Sequence, residues 1–132
     1  MSATSVFTAA ELAYLHGDRR LGRIGTVGKD GTPHVVPSGW VHNRELDTID
    51  VTGRDVHETK KFRDVARNGR AAIVIDDIAS VNPWRPRALE VRGRAEAVRE
   101  PESLIRIYPE RIVAWGIDDR RLARTVTAGA TR

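Results

Sequence analysis

Residues 52–70, TGRDVHETKKFRDVARNGR, constrain this chain more than any other stretch. An apolar strand ends at Thr52, the chain turns on Gly53 and shows Arg54, and Asp55-Val56-His57-Glu58 has the form of a capping box that opens a helix. Lys60, Lys61, Arg63 and Arg67 lie on that helix, and Asn68-Gly69 supplies its stop. Thr59, Phe62 and Ala66 can line one face with Val65 at its edge, while Lys60, Asp64 and Arg67 line another. Several cations beside the free N–H groups of a helix start are what a phosphate or polycarboxylate needs. The plainer reading is a solvated face, in which Lys60 and Asp64 form an i,i+4 pair.

The other segments read as a β-scaffold around this helix. Thr8-Ala9-Ala10-Glu11 is a capping box for a short helix to about His16, with Leu12 and Leu15 facing the core. A strand over 20–27 and one over 33–42 flank Lys29-Asp30-Gly31-Thr32, a hairpin turn signal. Pro37 bars a fully paired central strand, so the second strand is expected to be kinked or unpaired near Pro37-Ser38-Gly39. Residues 46–52 alternate as a half-buried strand, with Ile49 and Val51 on one face. AAIVI within 70–77 reads as a strand buried on both faces, 78–87 as a proline-containing loop, and 88–98 as an alternating strand. Pro101 is expected to start a short helix that Pro109 ends, followed by a strand over 110–117 and a loosely ordered tail from Asp118. Six short strands in mainly antiparallel hairpins, with about three helices, favour a small barrel.

At 132 residues the chain is one domain, and no apolar run approaches a membrane span. Without cysteine it has neither disulfides nor cysteine metal sites. No secretion signal is visible, so a cytoplasmic location is expected. The net charge of +4 invites a nucleic-acid reading, but the basic residues are spread along the chain and only seven aromatic residues accompany them. His16, His34, His42 and His57 show no metal spacing; each is a possible proton donor, with a surface or turn position as the expectation.

The order of an Asp-Gly hairpin, an HVVP strand, a strand ending in TGR, the TKKFRDVARNGR helix, a buried strand and NPWRPRALEVRG resembles the flavin and deazaflavin oxidoreductases related to pyridoxamine 5′-phosphate oxidase. More narrowly it is similar to the small members that use coenzyme F420, in the subgroup that includes the terminal reductase of tetracycline biosynthesis. The likeness covers about residues 8–117. It implies a mainly β, six-stranded antiparallel split β-barrel that forms a homodimer, with one cofactor in each of two grooves between the chains. By that resemblance Val36, Pro37, Ser38, Gly39 and Trp40 line the cofactor ring. Thr52, Arg54, Lys60 and Lys61 hold its phosphate, and Arg63 reaches its acidic tail. Trp84, Arg85 and Arg87 cover cofactor or substrate, from the same chain or its partner. The R-x-V-L-L-K-type FMN motif and the basic C-terminal signature of pyridoxamine phosphate oxidases are absent, which tilts the cofactor from FMN towards F420.

The function implied is hydride transfer between F420 and a small organic substrate with an activated C=C or C=N bond. The cofactor carries such chemistry and the protein orients it, so no catalytic triad or metal cluster is expected. An FMN- or FAD-dependent reductase on the same fold, and a non-catalytic carrier of a flavin-like cofactor or haem, are the competing readings.

Overall fold

The computed structural model describes residues 4–118 and 121–127. Its elements are α1 (Ala9–Leu15), β1 (Gly22–Val27), β2 (Pro33–Asn43), β3 (Thr48–Thr52), a 3-10 turn (Val56–Glu58), α2 (Lys60–Asn68), β4 (Arg70–Ser80), β5 (Arg85–Val98), β6 (Leu104–Trp115) and β7 (Leu122–Thr125). Every strand pairing is antiparallel, in the order β3-β2-β1-β4-β5-β6, and a β3–β6 pairing closes the six strands into a barrel. β7 is added outside the barrel, along the half of β6 that does not meet β3. Two α-helices and one 3-10 turn are present among the described residues.

Closure needs strands that bend. β6 pairs with β3 through 105–107 and with β7 through 111–114. Between these halves the β5–β6 register slips opposite Gly93, where Pro109 sits. A Cβ at Gly93 would stand 1.9 Å from the Tyr108 carbonyl oxygen, so only glycine permits this approach. The expected helix over 101–108 is therefore not formed. Ile105 and Ile107 instead alternate into the core as strand residues, and Pro109 marks a bulge rather than a helix end.

The barrel interior holds Ile24, Ile49, Val51, Ile73, Ile75, Leu89, Val91, Ile105, Ile107 and Ile112, each at most 1% exposed. Full burial of one such side chain contributes about 1.5–3 kcal/mol, so this layer dominates stability. α2 packs on β1 and β5 through Phe62 and Val65. Its third buried residue is Asp64 rather than Ala66, which is exposed. Asp64 accepts from the buried Thr26 hydroxyl at 2.9 Å and from Arg67 at 2.9 Å. Burial opposes its ionisation, but Arg67, Thr26 and Lys60 outweigh that and hold its pKa below the usual carboxylate range.

Several local expectations meet their physical limits here. The capping box at Thr8 and Glu11 forms as read. β4 is buried on its Ala71, Ile73 and Ile75 face but only half-buried at Ala72 and Val74. β3 is buried on both faces, because Asp50 is neutralised by both Arg106 nitrogens at 3.1 Å. The stretch 78–87 is mostly strand, ending a long β4–β5 hairpin whose tip lies at 81–84. The tail is tied down where it is described. Arg124 of β7 binds the fully buried Glu11 carboxylate at 2.6 and 2.8 Å. The remainder of that tail, 119–120 and 128–132, lies outside the described residues.

Candidate active site

The turn from β3 to α2 is built differently from the sequence expectation. Asp55 takes a left-handed conformation (φ 52°) and its side chain caps nothing. The buried Val56 starts a 3-10 turn, and the true N-cap is Thr59, whose hydroxyl accepts from Phe62 N–H. α2 therefore begins at Lys60, and Lys60 and Lys61 are its first two residues. Ammonium groups at the positive end of a helix dipole are in an unfavourable place unless an anion joins them. Lys60 is partly neutralised by Asp64 at 3.4 Å, and Arg63 is bound to the Glu58 carbonyl at 3.1 Å. Among the described residues nothing pairs with Lys61 or Arg54. Lys61 is half-buried, and that burial lowers its pKa.

The expected ring-lining segment is one continuous strand rather than a break. Residues 33–38 of β2 pair with β1 alone and 39–43 with β3 alone. Pro37, opposite Arg23, is tolerated because its half of the strand has a neighbour on one side only. Ser38 is buried and its hydroxyl has no hydrogen-bond partner. Gly39 lies opposite Thr52, and a Cβ there would be 3.5 Å from the Thr52 hydroxyl. The strand thus brings the residues assigned by resemblance to the ring and to the phosphate together at Gly39 and Thr52. Val36 is 39% exposed beside them.

A cavity of about 670 Å³ opens from this junction. Gly39, Trp40, His42, Arg44 and Thr52 line it together with the α1–β1 loop. Trp40 is fixed in its wall by donating Nε1–H to the Arg20 carbonyl at 2.8 Å. Lys60 lies over a separate hollow with His34. Arg87, assigned by resemblance to cover the cofactor, is held within the chain by an ion pair. It binds Asp77 at 2.5 and 2.9 Å, and Arg20 and Tyr14 bind the same carboxylate at 3.0 Å. With Arg87 the foremost cause, Asp77 is held down at about 2. Trp84 and Arg85 sit at the exposed β4–β5 hairpin tip, and neither lines the cavity at Gly39 and Thr52.

His16 is exposed at the end of α1, as expected, but His42 departs from the surface expectation. His42 has a side chain only 4% exposed, and it joins His16 at 2.9 Å on one side and Asp47 at 2.9 Å on the other. Arg20, Arg44 and Leu21 are cavity residues that sequence reasoning passed over, and His16, named there only as a possible proton donor, joins them. Alternation could have found His42, since it lies two residues beyond Trp40 on the same face of β2. His16 had no such signal.

A family model described as pyridoxamine 5′-phosphate oxidase matches residues 8–130. The chain belongs to the pyridoxamine 5′-phosphate oxidase family. It is 42% identical over 121 residues to the 5a,11a-dehydrotetracycline/5a,11a-dehydrooxytetracycline reductase of Streptomyces rimosus subsp. rimosus, covering 85% of this chain and 84% of that one. Among solved structures it resembles an F420 reductase, with a TM-score of 0.58, 21% identity, and coverage of 76% of this chain and 94% of the other. It also resembles an FAD-binding protein of Mycobacterium smegmatis, with a TM-score of 0.61, 25% identity, and coverage of 92% and 100%. This family member is accordingly an enzyme of the oxidoreductase class.

Proposed function

We propose that this protein is an F420-dependent reductase that transfers a hydride to an activated C=C or C=N bond of a small organic substrate. The observation that carries the reading is the unpaired charge at the start of α2. Lys61 and Arg54 have no partner among the described residues, and the helix dipole adds to their field rather than opposing it. A phosphate resting there would meet two cations and the free N–H groups of Lys60 and Lys61. Thr52 would add its hydroxyl, and Arg63 would extend the cationic surface towards an acidic tail.

The residues present fit such a cofactor. The unsatisfied Ser38 hydroxyl offers one polar contact inside an otherwise apolar strand segment, and Val36, Pro37 and Gly39 leave a low profile beside it. When bound, a reduced deazaflavin supplies the hydride. Trp40 shapes the cavity wall, and the α1–β1 loop limits access of water. The named reductase at 42% identity acts on dehydrotetracyclines, and a polycyclic, conjugated substrate of that kind suits a cavity of about 670 Å³. FMN or FAD in the same groove is the second reading, favoured by the FAD-binding structural relative.

A homodimer completes this reading. Val27, Val35, Val41, Ile78, Val81 and Trp84 are large apolar side chains that a single chain leaves exposed. A second copy covering them would let the Trp84–Arg85 hairpin tip reach the partner's groove. Titration of the protein with F420 and with FMN tests the cofactor. Tighter binding of F420 is expected, and a clear preference for FMN would sink the F420 reading.

A further inference from the structure

The hydrogen bonds around His16 and His42 can be arranged in only one way. The Arg44 guanidinium can only donate, so His16 Nδ1, 3.1 Å away, accepts. His16 Nε2 then carries the proton and donates to His42 Nδ1 at 2.9 Å. His42 Nε2 carries its proton in turn and donates to Asp47 Oδ1 at 2.9 Å. Asp47 also accepts from the Val6 N–H and the Ser5 hydroxyl, each at 2.8 Å. Burial opposes its ionisation, but the bonds from His42, Val6 and Ser5 prevail and keep its pKa low. Polarity runs unbroken from Arg44 through His16 and His42 to Asp47, from the exposed cavity wall to a side chain 12% exposed.

We propose that His16, His42 and Asp47 form a proton relay for the cavity, with His16 Nδ1 exchanging the proton with substrate and Arg44 capping that atom until substrate displaces it. The proposal rests on the reading of this cavity as the place where substrate is reduced. Reduction of a C=C bond consumes a hydride, here from a reduced deazaflavin or flavin, and a proton. The hydride forms a C–H bond at one carbon and the π pair moves to the other carbon or to a conjugated oxygen. That pair takes the proton from His16 Nδ1–H, and the N–H electrons stay on nitrogen. The relay is then neutral, as in the arrangement just described, and reloads from solvent at the exposed His16. In the loaded state Asp47 stabilises the positive imidazole pair, which makes His42 and Asp47 positioning residues.

The groups facing His16 are Arg44 and His42, with Asp18, Arg19 and Arg20 along the same cavity. Partial burial, then Arg44, then His42 lower its proton affinity. Displacing Arg44 removes the second of these, so the relay loads as the site fills. Since the loaded fraction falls as pH rises, reduction slows with rising pH.

Two measurements decide the matter. Imidazole nitrogen NMR on the whole protein at about pH 8, above the ordinary imidazole range, needs no cofactor. Both rings should carry hydrogen on Nε2 and none on Nδ1; an Nδ1–H tautomer on either overturns the relay. Turnover of a dehydrotetracycline with reduced F420 is then followed across pH for the wild type and His16→Gln. The variant should bind cofactor as the wild type does, lose at least about tenfold in turnover and lose the pH dependence. Identical pH profiles with intact cofactor binding overturn the relay alone. Failure of the wild type to bind either F420 or FMN overturns the cavity reading, and the relay's role with it.

Discussion

Arg20 and Arg87 converge on Asp77 beside α1, whereas Arg54 and Lys61, where β3 passes into α2, have no partner among the described residues. Both regions are rich in positive charge. In the first, the guanidinium groups, a tyrosine hydroxyl and a carboxylate satisfy one another, and Arg20 stacks on the Tyr14 ring at 3.9 Å. In the second, the cations stand at a helix end whose dipole repels them. The contrast teaches that net charge says little about binding in this chain. Most arginines on the strands hold the barrel together, and the charge available to a ligand is a small unpaired remainder.

The strongest way to break this contrast is to remove a paired arginine. Arg124→Ala should leave Glu11, which is fully buried, without its partner. Breaking such a pair costs about 3–5 kcal/mol, so denaturant titration should show a large loss of stability. A change under about 0.5 kcal/mol would mean that the paired class is not structural after all. By contrast, Arg54→Ala combined with Lys61→Ala should leave stability intact, since these side chains oppose one another and the helix dipole. Cofactor affinity should fall about 100-fold, on the scale of two lost charge-assisted hydrogen bonds. Unchanged affinity by fluorescence titration would remove both residues from the site.

How far these regions could be read from sequence follows the same division. The cationic helix was legible because its caps, spacing and stop are local. Its start was misplaced because Asp55 and Thr59 are both good caps, and the choice depends on Val56 being buried by the barrel, which no local pattern shows. Residues 101–108 were misread for a related reason. PESL carries a helix-start signal, yet Ile105 and Ile107 pair with β3 and β5. The paired arginines were illegible. Arg124 and Glu11 are 113 residues apart, and Arg20 and Asp77 are 57 apart. The His16–His42 contact spans 26 residues and depends on the α1–β1 loop folding over β2. Arg87 was assigned to the cofactor by resemblance, and its pairing with Asp77, set by the β4–β5 register, had no local signal.

Titration sharpens the comparison within one molecule. Asp77 is depressed to about 2, so its native interactions contribute fully above its unfolded value of 3.8 and are lost as pH falls through about 2. Arg87→Gln should raise the Asp77 pKa towards the usual range, read by carboxyl-carbon NMR. An unmoved titration would show that Arg20 and Tyr14 suffice.

Lys61 is also shifted down, but for a different reason and in a different pH window. Burial lowers its pKa, so the folded state binds fewer protons there than the unfolded chain in the window just below its ordinary value. Across that window stability rises with pH on its account, since ionised Lys61 is the form that burial penalises. An anion at the start of α2 reverses the balance by favouring the ammonium form, so its pKa should climb when inorganic phosphate or F420 binds. The chain has only three lysines, Lys29, Lys60 and Lys61, so side-chain NMR of labelled lysine resolves each. Lys29, exposed in the β1–β2 turn, is the internal control and should not move. Lys60 already leans on Asp64 and should move less than Lys61. If all three shift together, the effect is general ionic screening and the unpaired remainder is not a site. If Lys61 alone climbs, the charge that the fold leaves unspent is the charge that the ligand uses.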